Sequence, residues 1–513
     1  MTSTTTKGVK PFQGRPLAAV VKELTDEICE LYRADEVPWV VGYSGGKDST
    51  AVLQLVWMAL NELPPDQRTK PVYVISTDTL VENPVVAAWV TRSLETMRQA
   101  AADRGLPIEP NRLVPEVNDT FWVSLIGKGY PAPRPKFRWC TERLKIKPSN
   151  AFIRRVVRRH GEAILVLGIR KAESAARSRA MTRHEKGRVR DRLSPNSSLP
   201  NSLVYSPIEA WTNDEVWMFL MQVPNPWGHP NKDLLTMYQG ASADGECPLV
   251  VDSSTPSCGD SRFGCWTCTL VDKDKSMSAM IQNDEEKEWM LPLLTLRDEL
   301  DVVNDKPLRD WRRMHGGVML FHDQPVHGPY TQTSREHWLR RVLEAQTWIR
   351  QNGPDHMKNM DLITMPELHA IRHIWVFDKH EIEDSLPRIY AEVTQEEFPG
   401  QPLNEHMSLG ADDIDILRDI CDGDDLHFEM TRSLLSVERR YRTMARRAGL
   451  FTEMEDVIRR SFYEGVDDAS DRARTLATAR NLRKGISRPT ALLSDDEGAL
   501  IDDRNEELTN ASH

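Results

Sequence analysis

A six-residue segment, Ser44-Gly-Gly-Lys-Asp-Ser49, carries the residue types that hold phosphate groups. Gly45 and Gly46 let backbone N–H groups approach anionic oxygens closely, and Lys47 adds a positive charge. The hydroxyl groups of Ser44, Ser49 and Thr50 can donate hydrogen bonds. The segment lacks the first glycine and the four-residue spacing of a Walker loop. It predicts a nucleotide site of another kind, with an ordinary glycine turn as the alternative.

Two arginines further along the chain add candidate phosphate ligands. Arg170 and Arg177 follow the apolar run 163–169, and an arginine fork can bind two phosphate oxygens at once. Surface arginines at the head of a helix are the alternative. We predict that Lys47, Asp48 and Arg170 are catalytic. Lys47 and Arg170 are fixed cations, which stabilise negative charge that develops on phosphates.

Asp78 follows a second apolar run, 72–75. Its carboxylate could hold the ribose hydroxyls of a nucleotide or a Mg²⁺ ion. It could equally cap a helix, as short aspartates after strands often do.

Four cysteines have the types and spacing of a metal site. Cys265-Trp-Thr-Cys268 is a C-x-x-C pair, Cys258 lies seven residues earlier, and Cys140 is far away in sequence. Four thiolates can hold zinc or a 4Fe-4S cluster, and the spacing alone does not decide between them. The C-x-x-C pair could also be redox-active. We interpret Cys29 and Cys421, each in a helical context, as buried structural cysteines.

The elements that position these residues alternate between strand and helix. Continuous apolar runs predict buried strands at 37–43, 72–75 and 163–169. Helical spacing or a leading proline predicts helices at 48–60, 84–102 and 148–160. This order predicts an α/β fold with a doubly wound, mostly parallel sheet, whose ligands bind at the carboxyl ends of the strands.

The chain is too long for one core, and composition shifts suggest where it divides. Charged, helical stretches are predicted at 276–350 and 357–480, with a final helix to Arg483 that Ser470 would cap. The predicted segments are an α/β nucleotide domain (1–239), a cysteine-rich loop (240–275), a helical continuation (276–356), a helical C-terminal region (357–486) and an acidic mobile tail (487–513).

Composition and charge limit the class of protein. No run of 18 apolar residues exists, so we expect no membrane span, and the N-terminus lacks the apolar stretch of a secretory signal. Seven unevenly spaced cysteines favour a reducing cytoplasm over a disulfide framework. The net charge is −11, yet residues 134–192 contain nineteen Lys and Arg against five Asp and Glu. This excess indicates either a polyanion partner or a solvated face.

Several of these segments resemble one enzyme superfamily. Ser44 to Ser49 resembles the PP-loop of the adenine nucleotide α-hydrolases, which cleave ATP between the α and β phosphates. Ser76-Thr77-Asp78-Thr79 resembles the second nucleotide loop of the phosphoadenylylsulfate reductase branch, which implies that Thr77 and Asp78 bind the nucleotide. Gly168-Ile-Arg-Lys-Ala-Glu-Ser-Ala-Ala-Arg177 and the Pro-Ile-x-x-Trp segment from Pro207 resemble its later motifs. The resemblance implies that Gly168, Arg170 and Arg177 also help to bind the nucleotide.

The cysteine spacing together with these motifs resembles the DndC family, the sulfur-transfer component of bacterial DNA phosphorothioation. This resemblance implies a 4Fe-4S cluster on Cys140, Cys258, Cys265 and Cys268. It also implies ATP and Mg²⁺, DNA as the acceptor, a cysteine desulfurase as sulfur donor and other DNA phosphorothioation proteins as partners. The basic region 134–192 suits a DNA backbone, since phosphate contacts dominate affinity for nucleic acids.

Three other functions remain open at the level of sequence. A tRNA thiolase would keep the activation by ATP and change the acceptor. A sulfonucleotide reductase is disfavoured, because Glu246-Cys247-Pro248 lacks the glycine and histidine of the reductases' catalytic segment and lies mid-chain. A DNA-binding scaffold with a decayed ATP site is disfavoured by the intact Ser44, Lys47 and Asp48.

Overall fold

The computed structural model describes residues 11–188, 190–196, 198–241, 263–314, 316–381, 384–400, 403, 411–442, 444 and 447–483. Two of the cysteines singled out above, Cys247 and Cys258, lie outside these residues, as does the predicted tail 487–513. The chain forms two compact units. Unit 1 comprises Met1–Glu116 and Cys140–Thr295, and unit 2 comprises Val117–Trp139 and Leu296–His513. The predicted boundaries at 239, 275 and 356 do not coincide with this division.

A six-stranded sheet forms the centre of unit 1. Its strands are β1 (Trp39–Gly42), β2 (Val72–Thr77), β3 (Ile108–Leu113), β4 (Ala163–Val166), β5 (Ser194–Pro195) and β6 (Ser202–Tyr205). The order is β3-β2-β1-β4-β6-β5, and every neighbouring pair is parallel except β5 with β6. All four residues of β4 are buried, as expected of a strand that is covered on both faces.

Helices cover the sheet and continue to the end of unit 1. They are α1 (Leu17–Arg33), α2 (Lys47–Glu62), α3 (Pro84–Asp103), α4 (Lys147–His160), α5 (Ala175–Lys186), α6 (Asn213–Gln222), α7 (Asn231–Gly240), α8 (Lys275–Asn283) and α9 (Leu291–Leu300), the last of which continues into unit 2. Asn83 caps α3 by accepting a hydrogen bond from the Val85 N–H, and Pro84 occupies the first turn, where its missing N–H costs nothing.

The sheet order creates one topological switch point. The chain moves outward from β1 to β2 and β3, then returns to the other side of β1 to form β4. Loops that follow β1 and β4 therefore diverge at the carboxyl edge and leave a crevice between them, which is where open α/β sheets bind ligands. Ser44–Ser49 follows β1, and the segment from Gly168 to Arg177 follows β4.

Unit 2 is mostly helical. Its elements are the short hairpin β7 (Leu320–Phe321) and β8 (Gln324–Pro325), followed by α10 (Gln332–Asn352), α11 (Met365–His373), α12 (Ser385–Thr394), α13 (Ala411–Ile420), α14 (Asp425–Arg442), α15 (Leu450–Ser461) and α16 (Val466–Arg483). The early segment Val117–Trp139 belongs here because its aromatic residues are buried in this unit. Trp122 Nε1 donates to the Leu362 carbonyl at 2.7 Å, and Trp375 Nε1 donates to the Ile126 carbonyl at 2.9 Å.

The predicted α/β fold with a mostly parallel sheet and a helical C-terminal region is confirmed. The predicted strands and helices of unit 1 are present with small shifts at their ends. Sequence reasoning missed β3, whose Ile-Glu-Pro-Asn-Arg-Leu sequence is polar and contains a proline, as an edge strand allows.

Of two predictions for the helical region, one was confirmed with an interruption and one was wrong. The helical stretch 276–350 is interrupted between Leu300 and Gln332, where prolines and glycines favour turns and the β7–β8 hairpin. Ser470 does not cap the last helix, which begins at Val466; its hydroxyl instead donates to the Val466 carbonyl from inside the helix. None of the helices in the described residues is both long and apolar enough to cross a membrane.

Candidate functional site

The loop after β1 has a backbone that only glycine permits. Gly45 has a φ of +74°, and a Cβ atom there would lie 2.4 Å from Val90 Cγ2. The Gly45 carbonyl accepts a hydrogen bond of 3.1 Å from Trp89 Nε1, which fixes the loop against α3. Gly46 stands at the N-cap of α2 and offers no side-chain cap. The first N–H groups of α2 and the helix dipole are therefore suited to an anion.

The two serines of the loop hydrogen-bond to the loop itself. Ser49 Oγ accepts from the Ser44 N–H at 3.2 Å and donates to the Gly46 carbonyl at 3.0 Å. The hydroxyls of Ser44 and Ser49 are 3.2 Å apart. These bonds hold the turn closed, so both serines shape the predicted phosphate site in addition to offering donors to a ligand.

Asp48 joins the two predicted catalytic cations. Arg170 Nε donates to Asp48 Oδ1 at 2.6 Å, and Lys47 Nζ lies 3.3 Å from Asp48 Oδ2. Arg170 is only 4% exposed and also donates from Nη1 to the Trp211 carbonyl at 3.2 Å. Gly168 permits this pairing, because a Cβ atom there would lie 2.8 Å from the backbone of Asp48. The residues after β1 and β4 thus meet at the switch point.

Tyr238 of α7 is a site residue that sequence reasoning missed. Its hydroxyl accepts a hydrogen bond of 3.4 Å from the Lys47 N–H, and Lys47 Nζ lies 5.6 Å from the centre of its ring. The ring packs edge-on against Trp217 and Phe263. Burial raises the pKa of Tyr238, so the hydroxyl keeps its proton. No local pattern marks a tyrosine that acts 191 residues from its partner.

Thr77 and Asp78 lie at the carboxyl end of β2, one strand away from the switch point. Thr77 Oγ1 is 3.0 Å from Ser149 Oγ at the start of α4. Asp78 Oδ1 accepts from the Leu80 N–H at 2.8 Å, and Oδ2 pairs with Arg112 of β3. The suggestion that Asp78 caps a helix is wrong, because Asn83 caps α3.

Arg177 does not join the phosphate loop in this structure. Its guanidinium is exposed on α5 and pairs with Glu173, and its N–H donates to Ser174 Oγ at 3.1 Å. Glu173 also accepts from the Arg170 N–H at 3.0 Å. Glu173 therefore braces the segment that carries both arginines, while only Arg170 reaches the loop after β1.

The C-x-x-C segment lies against the loop after β2. Glu82 and Cys265 form an antiparallel bridge, and the Trp266 N–H donates to the Val81 carbonyl at 2.9 Å. Thr79 Oγ1 is 3.3 Å from Cys265 Sγ, and the Cys268 N–H closes the turn by donating to the Cys265 carbonyl at 3.0 Å. Burial, followed by the Glu82 charge, raises the pKa of Cys265 to about 12. The cysteine segment and the nucleotide loop therefore share the carboxyl edge of one sheet.

Cys140 and Lys145 belong to the same neighbourhood. Burial raises the pKa of the Cys140 thiol, and a negative charge on Cys268 raises it further. Lys145 Nζ lies 3.3 Å from Glu82 Oε1. Burial opposes the charge of this lysine, yet Cys265 and Glu82 together raise its pKa above the ordinary value. Sequence reasoning missed Lys145, which places a cation beside the thiols.

These thiols provide suitable donors for the implied cluster. Cysteine thiolates are the ligands of iron–sulfur clusters and of structural zinc, and the nearby lysine offsets part of their negative charge. Among the described residues no three Cys, His, Asp or Glu side chains form a group that could hold one metal ion. The fourth predicted ligand, Cys258, is outside those residues. The two cysteines predicted to be structural, Cys29 and Cys421, are buried and free of disulfides, as expected.

The basic region divides into paired and unpaired arginines. Acidic residues of unit 1 neutralise several of them. Arg190 pairs with Asp35 and with Glu162 of the basic region itself, and Arg192 pairs with Glu27 and Glu30. The apolar face of α4 is buried in the core beside the sheet, which leaves its arginines exposed on the opposite face. Within the described part of the chain no ion pair involves these exposed arginines of α4, which are Arg154, Arg155, Arg158 and Arg159.

The switch-point sheet, with the glycine loop after β1, gives unit 1 a doubly wound α/β fold. Residues 38–226 match the family model of the phosphoadenosine phosphosulfate reductase domain, so this part of the chain is similar to that domain. The match includes the predicted nucleotide ligands from Ser44 to Arg177. It ends before the C-x-x-C segment.

Two similar proteins extend the comparison. An uncharacterized protein of Methanocaldococcus jannaschii is 26% identical over 200 residues, which are 39% of this chain and 35% of that protein. The chain thus spans about a third of the length of this curated relative. The solved structure of the U34-tRNA thiolase NcsA from Methanococcus maripaludis, with its 4Fe-4S cluster, has a TM-score of 0.25 and 13% sequence identity. That match covers 56% of this chain and 82% of the thiolase chain.

Proposed function

We propose that this protein uses ATP to activate a phosphate oxygen of DNA and replaces that oxygen with sulfur, as its resemblance to the DndC family implies. The main observation behind the proposal is that the candidate phosphate loop and the cysteine thiols lie at the same edge of one sheet. Lys47 and Phe263, the latter two residues before Cys265, both contact Tyr238. A site for ATP cleavage beside thiols suits sulfur chemistry on an activated acceptor.

The first half-reaction requires stabilisation of phosphate charge. A non-bridging oxygen of the DNA phosphodiester attacks the α-phosphorus of ATP, the bond between that phosphorus and the α,β-bridging oxygen breaks, and pyrophosphate leaves. A Mg²⁺ ion bound to the phosphates would offset their negative charge. The N–H groups at the start of α2 and the Lys47 ammonium would bind the negative oxygens. Asp48, which contacts both cations, would keep Lys47 and Arg170 oriented toward the loop.

The second half-reaction exchanges the oxygen for sulfur. A sulfur nucleophile attacks the DNA phosphorus, and AMP leaves with the former non-bridging oxygen. Sulfide requires no electron transfer. If the nucleophile is instead a persulfide from a cysteine desulfurase, the sulfur on the DNA phosphorus is still joined by an S–S bond to the carrier cysteine. A second thiol must then attack the carrier sulfur, which releases the phosphorothioate and leaves a disulfide between the two thiols.

Cys140, Cys265 and Cys268, together with Cys258, would hold a 4Fe-4S cluster. The cluster would supply iron that can bind sulfide close to the activated phosphate. Lys145 would lower the electrostatic cost of collecting thiolates at this position, because it lies beside Glu82 and within the field of two of them. These assignments suit a reducing cytoplasm, where thiols persist.

The test of this function compares nucleic acids from cells that lack the gene. We expect the wild-type gene to restore phosphorothioate linkages, measured by mass spectrometry of digested DNA, while Cys265→Ser and Lys47→Ala do not. Cys29→Ser is the matched control, because that cysteine is buried and its Sγ donates only to the Ala59 carbonyl. Anaerobically purified wild-type protein and the control should be brown with near-stoichiometric iron and acid-labile sulfide, and Cys265→Ser should lose most of both.

The same experiment separates the other candidate functions. A thiolated tRNA base that disappears on deletion and returns with the gene would identify tRNA as the acceptor. Release of sulfite from adenylylsulfate would identify a reductase. Intact phosphorothioation in Cys265→Ser cells, or a colourless protein that carries zinc, would contradict the role given to the cysteines.

The exposed arginines of α4 provide a prediction about the DNA surface. The double variant Arg154→Gln/Arg158→Gln should bind duplex DNA more weakly, with a salt slope about two units shallower, because each phosphate contact contributes about one unit. The measurement is fluorescence anisotropy of labelled DNA across a sodium chloride series. The matched control is Arg190→Gln/Arg192→Gln, whose arginines already pair with acidic residues and should leave the slope nearly unchanged. Equal losses in both variants would assign the effect to net charge alone.

A further inference from the structure

Unit 2 contains a cluster of buried charged residues that the proposed sulfur chemistry does not use. Arg335 of α10 pairs through Nη2 with Glu381, and both residues are almost fully buried, with 4% and 3% exposed. Arg432 of α14 donates from Nη2 to the Lys379 carbonyl at 3.4 Å. Lys379, His380 and Glu381 follow one another after the turn Ile374–Asp378, so three elements meet at this cluster.

Several polar atoms of this cluster have no partner. Arg335 Nη1, Arg432 Nε and Glu381 Oε2 are buried without a hydrogen bond to any described residue. No described residue forms a hydrogen bond or an ion pair with the Lys379 ammonium. Buried polar atoms are nearly always satisfied, and leaving them unpaired is costly. Two donors, one acceptor and one cation are thus available to a ligand.

The charges in the cluster do not balance among the described residues. Arg312 pairs with Asp310 and Glu429, which compensates most of the charge on that side. In total four cations face three carboxylates; the cations are Arg312, Arg335, Lys379 and Arg432, and the carboxylates are Asp310, Glu381 and Glu429. Within this set of described side chains, the cations therefore exceed the carboxylates by one.

The titration of the neighbouring groups agrees with a positive local field. Burial, and then the charge of Arg335, lower the pKa of Lys379 to about 8. Burial and three nearby arginines lower the pKa of His380 to about 4, so its ring is neutral and keeps one N–H donor.

We propose that Arg335, Lys379 and Arg432 bind a phosphate group that carries a hydroxyl, and that Glu381 accepts the hydrogen bond from that hydroxyl. The remaining N–H groups of the two guanidiniums, Arg335 Nη1 and Arg432 Nε, and the ammonium of Lys379 suit a tetrahedral oxyanion. The free carboxylate oxygen of Glu381 distinguishes among such anions, because it repels an anion without a proton. Inorganic phosphate has an O–H group at neutral pH, whereas sulfate has none. The sources of this chemistry are free phosphate and a terminal phosphomonoester in its monoanionic form, which keeps one hydroxyl below its second pKa of about 6.

The test uses the full chain with the substitution Lys47→Ala, which removes the lysine of the nucleotide loop. Thermal unfolding is followed in inorganic phosphate, methyl phosphate or sulfate, with sodium chloride added to equal ionic strength. The pH is about 5.5, where methyl phosphate keeps its hydroxyl because its second pKa is about 6. We expect Tm to rise with the logarithm of phosphate concentration and to rise much less in sulfate. A response to inorganic phosphate alone identifies free phosphate as the ligand, and an equal response to methyl phosphate identifies a phosphomonoester.

Lys379→Met, in the same background, isolates the site. Methionine keeps the length of the side chain and removes an uncompensated charge, so Tm without phosphate should stay equal or rise, while phosphate affinity should fall at least tenfold. Lys358→Met is the control, because that lysine is exposed and pairs with Asp355. Glu381→Gln should reduce the preference for phosphate over sulfate.

Four results would overturn the proposal. The first is a phosphate response that is unchanged in Lys379→Met. The second is a Lys379→Met protein with lower Tm and an intact response, which would make the cluster a structural ion network. The third is the absence of any phosphate response in the Lys47→Ala background. The fourth is equal stabilisation by sulfate.

Discussion

Replacing Arg170 by glutamine should lower the kcat/KM of pyrophosphate release from ATP by about two orders of magnitude. Arg170 is almost fully buried, and its Nε donates to Asp48 Oδ1 at 2.6 Å, directly beside the nucleotide loop. A preorganised donor that is aimed at charge developing in the transition state contributes about 3 kcal/mol to catalysis. The ion pair with Asp48, whose side chain is 24% exposed, holds Arg170 in that orientation. A loss of about 3 kcal/mol in the transition state is roughly a hundredfold change in rate.

The matched control is Arg177→Gln in the same segment. Arg177 is exposed and pairs with Glu173, and such pairs contribute about 0–1 kcal/mol, so this variant should remain within a few-fold of wild type. The assay measures pyrophosphate in the presence of DNA and the sulfur donor, and thermal unfolding checks that each variant is folded. Adding Asp48→Asn completes a double-mutant cycle, in which the two losses should be far from additive.

Equal losses in Arg170→Gln and Arg177→Gln would contradict this assignment. Such a result would mean that Arg177 leaves Glu173 and reaches the phosphates when ATP is bound. Additive losses from Asp48→Asn and Arg170→Gln would mean that the two side chains act separately, against the geometry in which Asp48 joins both cations.

Gly45→Ala should destabilise unit 1 by about 3 kcal/mol and abolish measurable ATP binding. An L-residue at a φ of +74° costs about 1 kcal/mol, and the new Cβ would lie 2.4 Å from Val90 Cγ2. Relieving that overlap displaces either α3 or the loop, at a further cost of about 1–3 kcal/mol. The loop that would bind the phosphates therefore changes shape. Urea unfolding and ATP titration calorimetry measure the two effects.

The control for the backbone effect is Gly105→Ala. Gly105 has a similar φ of +58°, but a Cβ atom there would meet nothing within 4 Å, so the expected cost is only about 1 kcal/mol. Combining Gly45→Ala with Val90→Ala removes the overlapping methyl group and should recover part of the lost stability, relative to Val90→Ala alone. If Gly45→Ala and Gly105→Ala cost the same, close packing against α3 does not constrain the loop.

Short sequence motifs were enough to predict which residues form the candidate site, but they did not predict which distant residues contact one another there. The glycine pair, the lysine and the apolar runs before them are consecutive residues, so their composition alone predicts a strand, a turn and a helix. The partner of Asp48 is 122 residues away, and the tyrosine beneath Lys47 is 191 residues away. Such contacts depend on the strand order β1-β4, which brings two loops together and which no short pattern specifies.

The distribution of charged residues could also be predicted only in part from the sequence. The sequence alone determined that residues 134–192 are strongly basic, that cysteines recur at a metal-like spacing and that an α/β sheet precedes a helical region. Only the tertiary structure decided which arginines are neutralised, because their acidic partners, such as Asp35 and Glu30, lie in distant segments. It also decided that 117–139 leaves the sheet unit to bury its tryptophans elsewhere. Local patterns predict elements, whereas long-range packing selects which side chains meet.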